Sequence, residues 1–162
     1  MTDIRLALLA RLMEDTARRL DADCLALALP CHLPGRLRVF ARGADFPDPP
    51  EFVPVAARDS LCHQVMHSGR DLRSALAGRD GPSAGRRCGM MIAEELVSYC
   101  GTPVRSDDGA AIRASLSAST RLPRIWSRSD MARLRALSAQ ISALRLLPPP
   151  CRLPDRIGGA SR

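Results

Sequence analysis

At 162 residues the chain has the length of one domain, and 46% hydrophobic with 25% charged residues is an ordinary globular balance. The formal charge is +7 with arginine in place of every lysine; neither lysine nor asparagine occurs. Those arginines are scattered from Arg5 to Arg162 and aromatics make up only 3%, so the sequence lacks the basic stripe and stacking residues that argue for nucleic-acid binding. No apolar run approaches the about 20 residues that span a bilayer. The N-terminus places Asp3 and Arg5 inside an amphipathic pattern without a separate apolar core or cleavage site. A cytoplasmic protein with no membrane partner is expected. The six cysteines form no C-x-x-C pair, which in such a compartment reads as small buried hydrophobes rather than disulfides.

Thr2-Asp3 can cap a first helix, on which Ile4, Leu8, Leu12, Thr16 and Leu20 form a stripe with Leu9 and Met13 beside it, ending near Asp21. Cys24 to Leu29 alternates Leu with Cys or Ala, apolar on both faces, as in a central strand covered on two sides. Arg36 to Arg42 alternates with Arg36, Arg38 and Arg42 on one face, which places it nearer an edge. Four prolines between Pro47 and Pro54 predict a loop. Asp59 or Ser60 caps a short helix running through His67, and Gly69 stops it. A short strand is expected over Leu72 to Leu76, then a mobile loop over 77–89.

The stretch from Val97 to Ser117 reads as two antiparallel strands joined at Asp107-Asp108-Gly109, glycine supplying the positive φ of the turn. A three-residue loop pairs Val104 with Ile112, Thr102 with Ala114 and Cys100 with Leu116 on one face. The other face then holds Pro103 with Arg113, Gly101 with Ser115 and Tyr99 with Ser117. A one-residue shift of the loop couples Arg113 to Thr102 instead, and both registers stay open. Ser127 with Asp130 approximates a capping box, and Met131, Leu134, Leu137, Ile141 and Leu144 follow as one apolar stripe. Pro148-Pro149-Pro150 ends that helix. The expected division is one domain over 1–147 and a disordered tail over 148–162. This order of elements predicts an α+β domain with a mainly antiparallel sheet.

The tyrosine-glycine-proline strand and Asp-Gly turn of the hairpin resemble the signature hairpin of GAF domains. The stretch Asp59 to Leu72, with Ser60-Leu61-Cys62, resembles the mid-domain helix of GAF domains attached to histidine kinases and diguanylate cyclases. The resemblance spans about Ile4 to Leu147. It implies terminal helices on one sheet face, a ligand pocket roofed by the middle segments on the other, and a non-catalytic sensory or regulatory role. The Asp-Pro-Arg-Phe stretch usual in such domains and the signature of cyclic-nucleotide-binding members are both absent.

If the face bearing Tyr99, Arg113, Ser115 and Ser117 looks into that pocket, it offers a guanidinium fork, hydroxyls and a phenol. A small anionic or carboxylate-bearing ligand follows, approached from His63, His67 and Met91. The alternative for that face is solvent. His63 and His67 also share a helix face at a spacing that can clamp a metal, and Cys62, Cys88 and Cys100 could complete a zinc or haem-iron set. With no C-x-x-C or acidic partner, no metal site or cofactor is assigned. A second alternative is a thiol-dependent reductase, since some GAF-fold proteins reduce free methionine sulfoxide. Cys88, after Arg86-Arg87, is then the candidate thiol. Partners follow from the stripe on the last helix: with Arg133 and Arg145 beside it, its spacing suits either a homodimer through the terminal helices or packing on the sheet. A separate signalling protein is the other partner expected.

Overall fold

Periodicity and capping place six strands and four helices among the described residues of the computed structural model, which are 3–43, 52–57, 60–77 and 86–149. In chain order they are α1 (Asp3–Leu20), β1 (Cys24–Pro30), β2 (Arg36–Arg42), β3 (Val53–Ala56), α2 (Leu61–Ser68), β4 (Leu72–Ser74), α3 (Gly89–Ala93), β5 (Ser98–Arg105), β6 (Ile112–Thr120) and α4 (Arg128–Ala143). All strand pairs are antiparallel, in the order β3-β2-β1-β6-β5-β4. β1 is thus central, as its two apolar faces require, and β2 lies one strand in from the edge. The arginine face of β2 turns toward α1, where Arg42 is paired with Glu14. Most of the tail expected over 148–162 and of the loop expected over 77–89 lies outside the described residues; of the tail, Pro148 is described and buried and Pro149 is exposed.

The sheet separates two cores. On one side α1 and α4 pack over Leu25, Leu27, Leu29, Cys100, Val104, Leu116 and Ala118. On the other, α2 and α3 cover Cys24, Ala26, Ala28, Leu37, Val39 and Tyr99. The predicted stripe of α4 is buried here: Met131, Leu134, Leu137 and Ile141 are inside, and only Leu144 remains exposed. The stripe assigned to α1 is rotated. Ile4 and Leu8 point outward, while Leu9, Ala10, Met13, Ala17 and Leu20 face the core. Small alanines carry part of the inward face, so the largest side chains mark the wrong one.

Two caps are as read. Ser60 accepts from the His63 amide with Gly69 left-handed at the other end of α2, and Ser127 with Asp130 forms the full capping box of α4. Burial opposes ionisation of Asp130, but the Ser127 amide and hydroxyl and the Arg124 guanidinium outweigh it and hold the carboxyl below its usual range. Two elements were not anticipated. β3 forms although it contains Pro54, because an edge strand can leave that position without a donor. The five-residue α3 follows Cys88, which has no side-chain cap bond.

Three helices end without glycine at the left-handed position. Asp21 (φ 49), Glu95 (φ 56) and Arg145 (φ 52) close α1, α3 and α4, with amides of Ala22, Leu96 and Leu146 reaching back to Ala17, Met91 and Ile141. A β-carbon is strained there, and at Asp21 an acidic group also opposes the dipole of the helix C-terminus. Asp21→Gly should therefore stabilise the chain by about 0.5 kcal/mol, read as a higher denaturant midpoint. A lower midpoint would mean that the Asp21 carboxylate makes a stabilising contact.

Candidate functional site

α2 rests on β5 and β6, and the face it covers is apolar at β1 but polar at β6. Alternation sets this pattern: Ala26 and Ala28 point the same way as Tyr99 on β5 and Ser115, Ser117 and Ser119 on β6. All of these are buried. Tyr99 donates its hydroxyl to the Cys62 sulfur at 3.6 Å, and Ser117 donates to the Ala26 carbonyl at 3.4 Å. Ser115 is wholly buried, and its hydroxyl has no partner among the described residues. The Tyr99 ring lies along its own strand over Gly101, where a β-carbon would meet the phenol oxygen at 2.3 Å. Burial first, then Cys62, pushes the Tyr99 phenol far above its ordinary range, so it stays a neutral donor. The site therefore offers hydrogen bonds without charge.

Tyr99, Ser115, Ser117 and Met91 are thus brought to one side of the sheet, under cover rather than in solvent. His63 and His67 lie on the outer side of α2. With Met66 they line a cleft of about 390 Å³ against the turn that carries Cys31 and His32. His63 Nδ1 donates to the Ala57 carbonyl at 2.5 Å, which leaves Nε2 as its open atom. Among the described residues no three histidine, cysteine or acidic groups stand where they could hold a metal ion.

Arg113 does not join this set. The hairpin pairs Val104 with Ala114, Thr102 with Leu116, Cys100 with Ala118 and Gly101 with Ser117, two residues away from the expected register. The strands stop at Arg105 and Ile112, so the connection is longer than three residues. Within it the Ser106 amide donates to the Ala111 carbonyl, and Gly109 turns at φ 73. A bulge at Val104/Arg105 then sets Arg105 opposite Ile112 and leaves Arg113 as the extra residue. Ile112 is sent toward the end of α2 at Gly69, and Arg113 into a cleft on the opposite side, beside Ile141, Ser142 and Arg145 of the α4 end. The expected anion-binding face of Tyr99, Arg113, Ser115 and Ser117 therefore does not form.

The cysteines add a second chemistry to the polar face. Cys24, Cys62 and Cys88 all belong to its core: Cys62, weighed from the sequence as a metal thiolate, accepts from Tyr99, and Gly101, expected on this face opposite Ser115, pairs with Ser117 and lies under the Tyr99 ring. Cys88 is not the exposed loop thiol anticipated. It is buried, and its pKa is pushed up to about 11 chiefly by desolvation, with the neighbouring Cys62 adding to it. Burial likewise raises the Cys62 thiol, against the Tyr99 hydroxyl that donates to it.

Comparison with known proteins places this geometry. The family model described as "GAF domain" matches residues 5–144. No curated protein matches the chain. Among solved structures it is similar to the GAF domain of an Acinetobacter phosphoenolpyruvate-protein phosphotransferase, at TM-score 0.63 and 18% identity over 89% of this chain and 93% of that one. Free methionine-R-sulfoxide reductase from Neisseria meningitidis, in complex with its substrate, gives TM-score 0.65 and 15% identity over 90% and 79%. The GAF domain of a two-component sensor histidine kinase from Bacillus halodurans gives 0.55 and 16% over 84% and 91%. At these identities the structures establish the fold. With the family match running across both cores, from the first turn of α1 to the end of α4, the chain belongs to the GAF domain family.

Proposed function

We propose that this chain is a sensory or regulatory domain without catalysis of its own, which takes a small polar molecule onto the sheet face beneath α2 and α3. The observation that carries this reading is the Ser115 hydroxyl, fully buried without a partner beside Tyr99 and Ser117. Leaving such a group unsatisfied costs about 1–3 kcal/mol, and a ligand that bonds to it recovers that penalty. Tyr99 and Met91 would have to move aside, and the ligand would be an uncharged hydrogen-bonding compound, since Arg113 lies on the other face. His63 and His67 would contact it only from the outer side of α2. The five described cysteines are unpaired, which fits a reducing cytoplasm. Output would pass to a signalling partner or a second copy. A second copy would meet the exposed Ile4, Leu8 and Leu144 rather than the stripe of α4 already packed on the sheet.

Native mass spectrometry of freshly purified protein tests the site. A retained small molecule is expected in the wild type and is expected to be lost in Ser115→Ala, which should itself fold at least as stably. A molecule kept in full by Ser115→Ala would remove the site. The clustering of Cys24, Cys62 and Cys88 favours the reductase as the second reading. With its pKa pushed up to about 11 by burial, the Cys88 thiol is overwhelmingly protonated at pH 7, against what a reactive thiolate needs. Turnover of free methionine sulfoxide that disappears in Cys88→Ser would make the chain an enzyme.

A further inference from the structure

We propose a second binding site, for a small oxyanion of phosphate or carboxylate type, in the cleft between the β5–β6 hairpin tip and the C-terminal end of α4. It lies across the sheet from the face discussed above and stands whether or not that face binds anything. The cleft encloses about 330 Å³, floored by Ile141 and Pro148, with Arg113 and Arg145 among its walls. Two arginines, Arg113 and Arg145, line it with a single carboxylate, Asp107, which pairs with Arg145 at 2.9 Å, while Arg105 contributes its backbone and turns its guanidinium toward Gly69. Arg113 is half-buried, and its guanidinium makes no hydrogen bond or ion pair among the described residues.

The backbone supplies the second argument. In regular alternation Arg113 belongs to the same face as Ser115 and Ser117. The bulge interrupts the ladder at Val104/Arg105 and re-aims it into this cleft. Ser142 fixes the opposing wall by donating to the Arg105 carbonyl at 2.6 Å. The left-handed turn at Arg145 swings its side chain off the end of α4 to the cleft. A planar guanidinium with its donors unused, held over an apolar floor, matches the paired oxygens of a phosphate or carboxylate by two parallel hydrogen bonds.

Thermal unfolding in inorganic phosphate and in succinate, each against sodium chloride of equal ionic strength, tests the site and separates the two sources. A saturable rise in Tm beyond the chloride control is expected for at least one of them. Isothermal titration of that anion should lose about tenfold or more in affinity in Arg113→Met and in Arg145→Gln, and keep it in Arg11→Met, a change on exposed α1 surface. No rise above chloride with either anion overturns the proposal. So does a saturable rise that both Arg113→Met and Arg145→Gln retain in full, since binding then occurs elsewhere. Arg145→Gln, at an exposed helix end, keeps the question decidable if Arg113→Met folds poorly.

Discussion

Replacing Leu134 by alanine is expected to lower the unfolding free energy by about 2–5 kcal/mol. The side chain is completely buried in the core that α4 forms with the sheet, among Cys100, Leu116, Met131 and Leu137, and α4 packs chiefly on β5. Removing its branched end deletes transferred apolar surface and leaves a void that a packed sheet cannot close. For a domain of this size each kcal/mol moves the melting temperature by about 2–4 °C, so calorimetry should find a drop on the order of 10 °C. Arg133→Ala, one residue away on the wet side, should cost little. A loss below about 1 kcal/mol at Leu134 would mean that the stripe is not the packing face. The same geometry gives a dimer on this stripe no room. Leu137 is as deep as its neighbours, so Leu137→Asp would unfold the monomer rather than separate two copies.

What the sequence disclosed, and what it withheld, follows from how far each signal reaches along the chain. Ser60, Gly69 and the Ser127–Asp130 pair act on backbone groups within four residues, so their chemistry is visible locally. Asp21, Glu95 and Arg145 do the work of a terminal glycine, and nothing in their side chains announces it. In α1 the inward Ala10 and Ala17 are less hydrophobic than the outward Ile4 and Leu8, so periodicity weighted by size picked the exposed side. β3 was hidden because its Pro54 is tolerable only once β2 is known to need an edge partner. The bulge is the costliest omission for the site. Both faces of the hairpin pair plausibly at either register, and only the longer connection from Ser106 to Ala111 decides where Arg113 goes. That Tyr99, Ser115 and Ser117 share one face was readable from period two alone, but its burial was not, because the cover comes from α2 and α3, which pack on it from elsewhere in the chain.

Gly101→Ala should destabilise the chain by about 2–3 kcal/mol, although it adds one methyl group. That β-carbon would lie 2.3 Å from the Tyr99 phenol oxygen, 2.7 Å from Cζ and 2.8 Å from Cε1. The ring cannot swing away freely, because it is buried among α2, α3 and the strands and its hydroxyl is bonded to Cys62. The glycine of the tyrosine-glycine-proline strand is therefore required by the tyrosine two residues before it, not by the backbone. Partner substitutions separate these causes. Tyr99→Phe removes only the 2.3 Å contact and leaves both ring-carbon clashes, so it should rescue little. In a Tyr99→Ala background, itself costing about 3–5 kcal/mol, Gly101→Ala should become neutral or stabilising by up to about 1 kcal/mol, the usual preference for alanine over glycine in a strand. The cycle then yields a coupling of about 2–4 kcal/mol, measured by denaturant unfolding. Equal costs of Gly101→Ala in both backgrounds would show that the ring does not rest on this glycine. Tyr99 is the single tyrosine of the chain, so its ring resonances in an NMR spectrum report the ring directly. If Gly101→Ala folds with that tyrosine exposed to solvent, the ring has left the polar face, and the space over Ser115 and Ser117 is open in the variant as the proposed ligand would require it to be in the wild type.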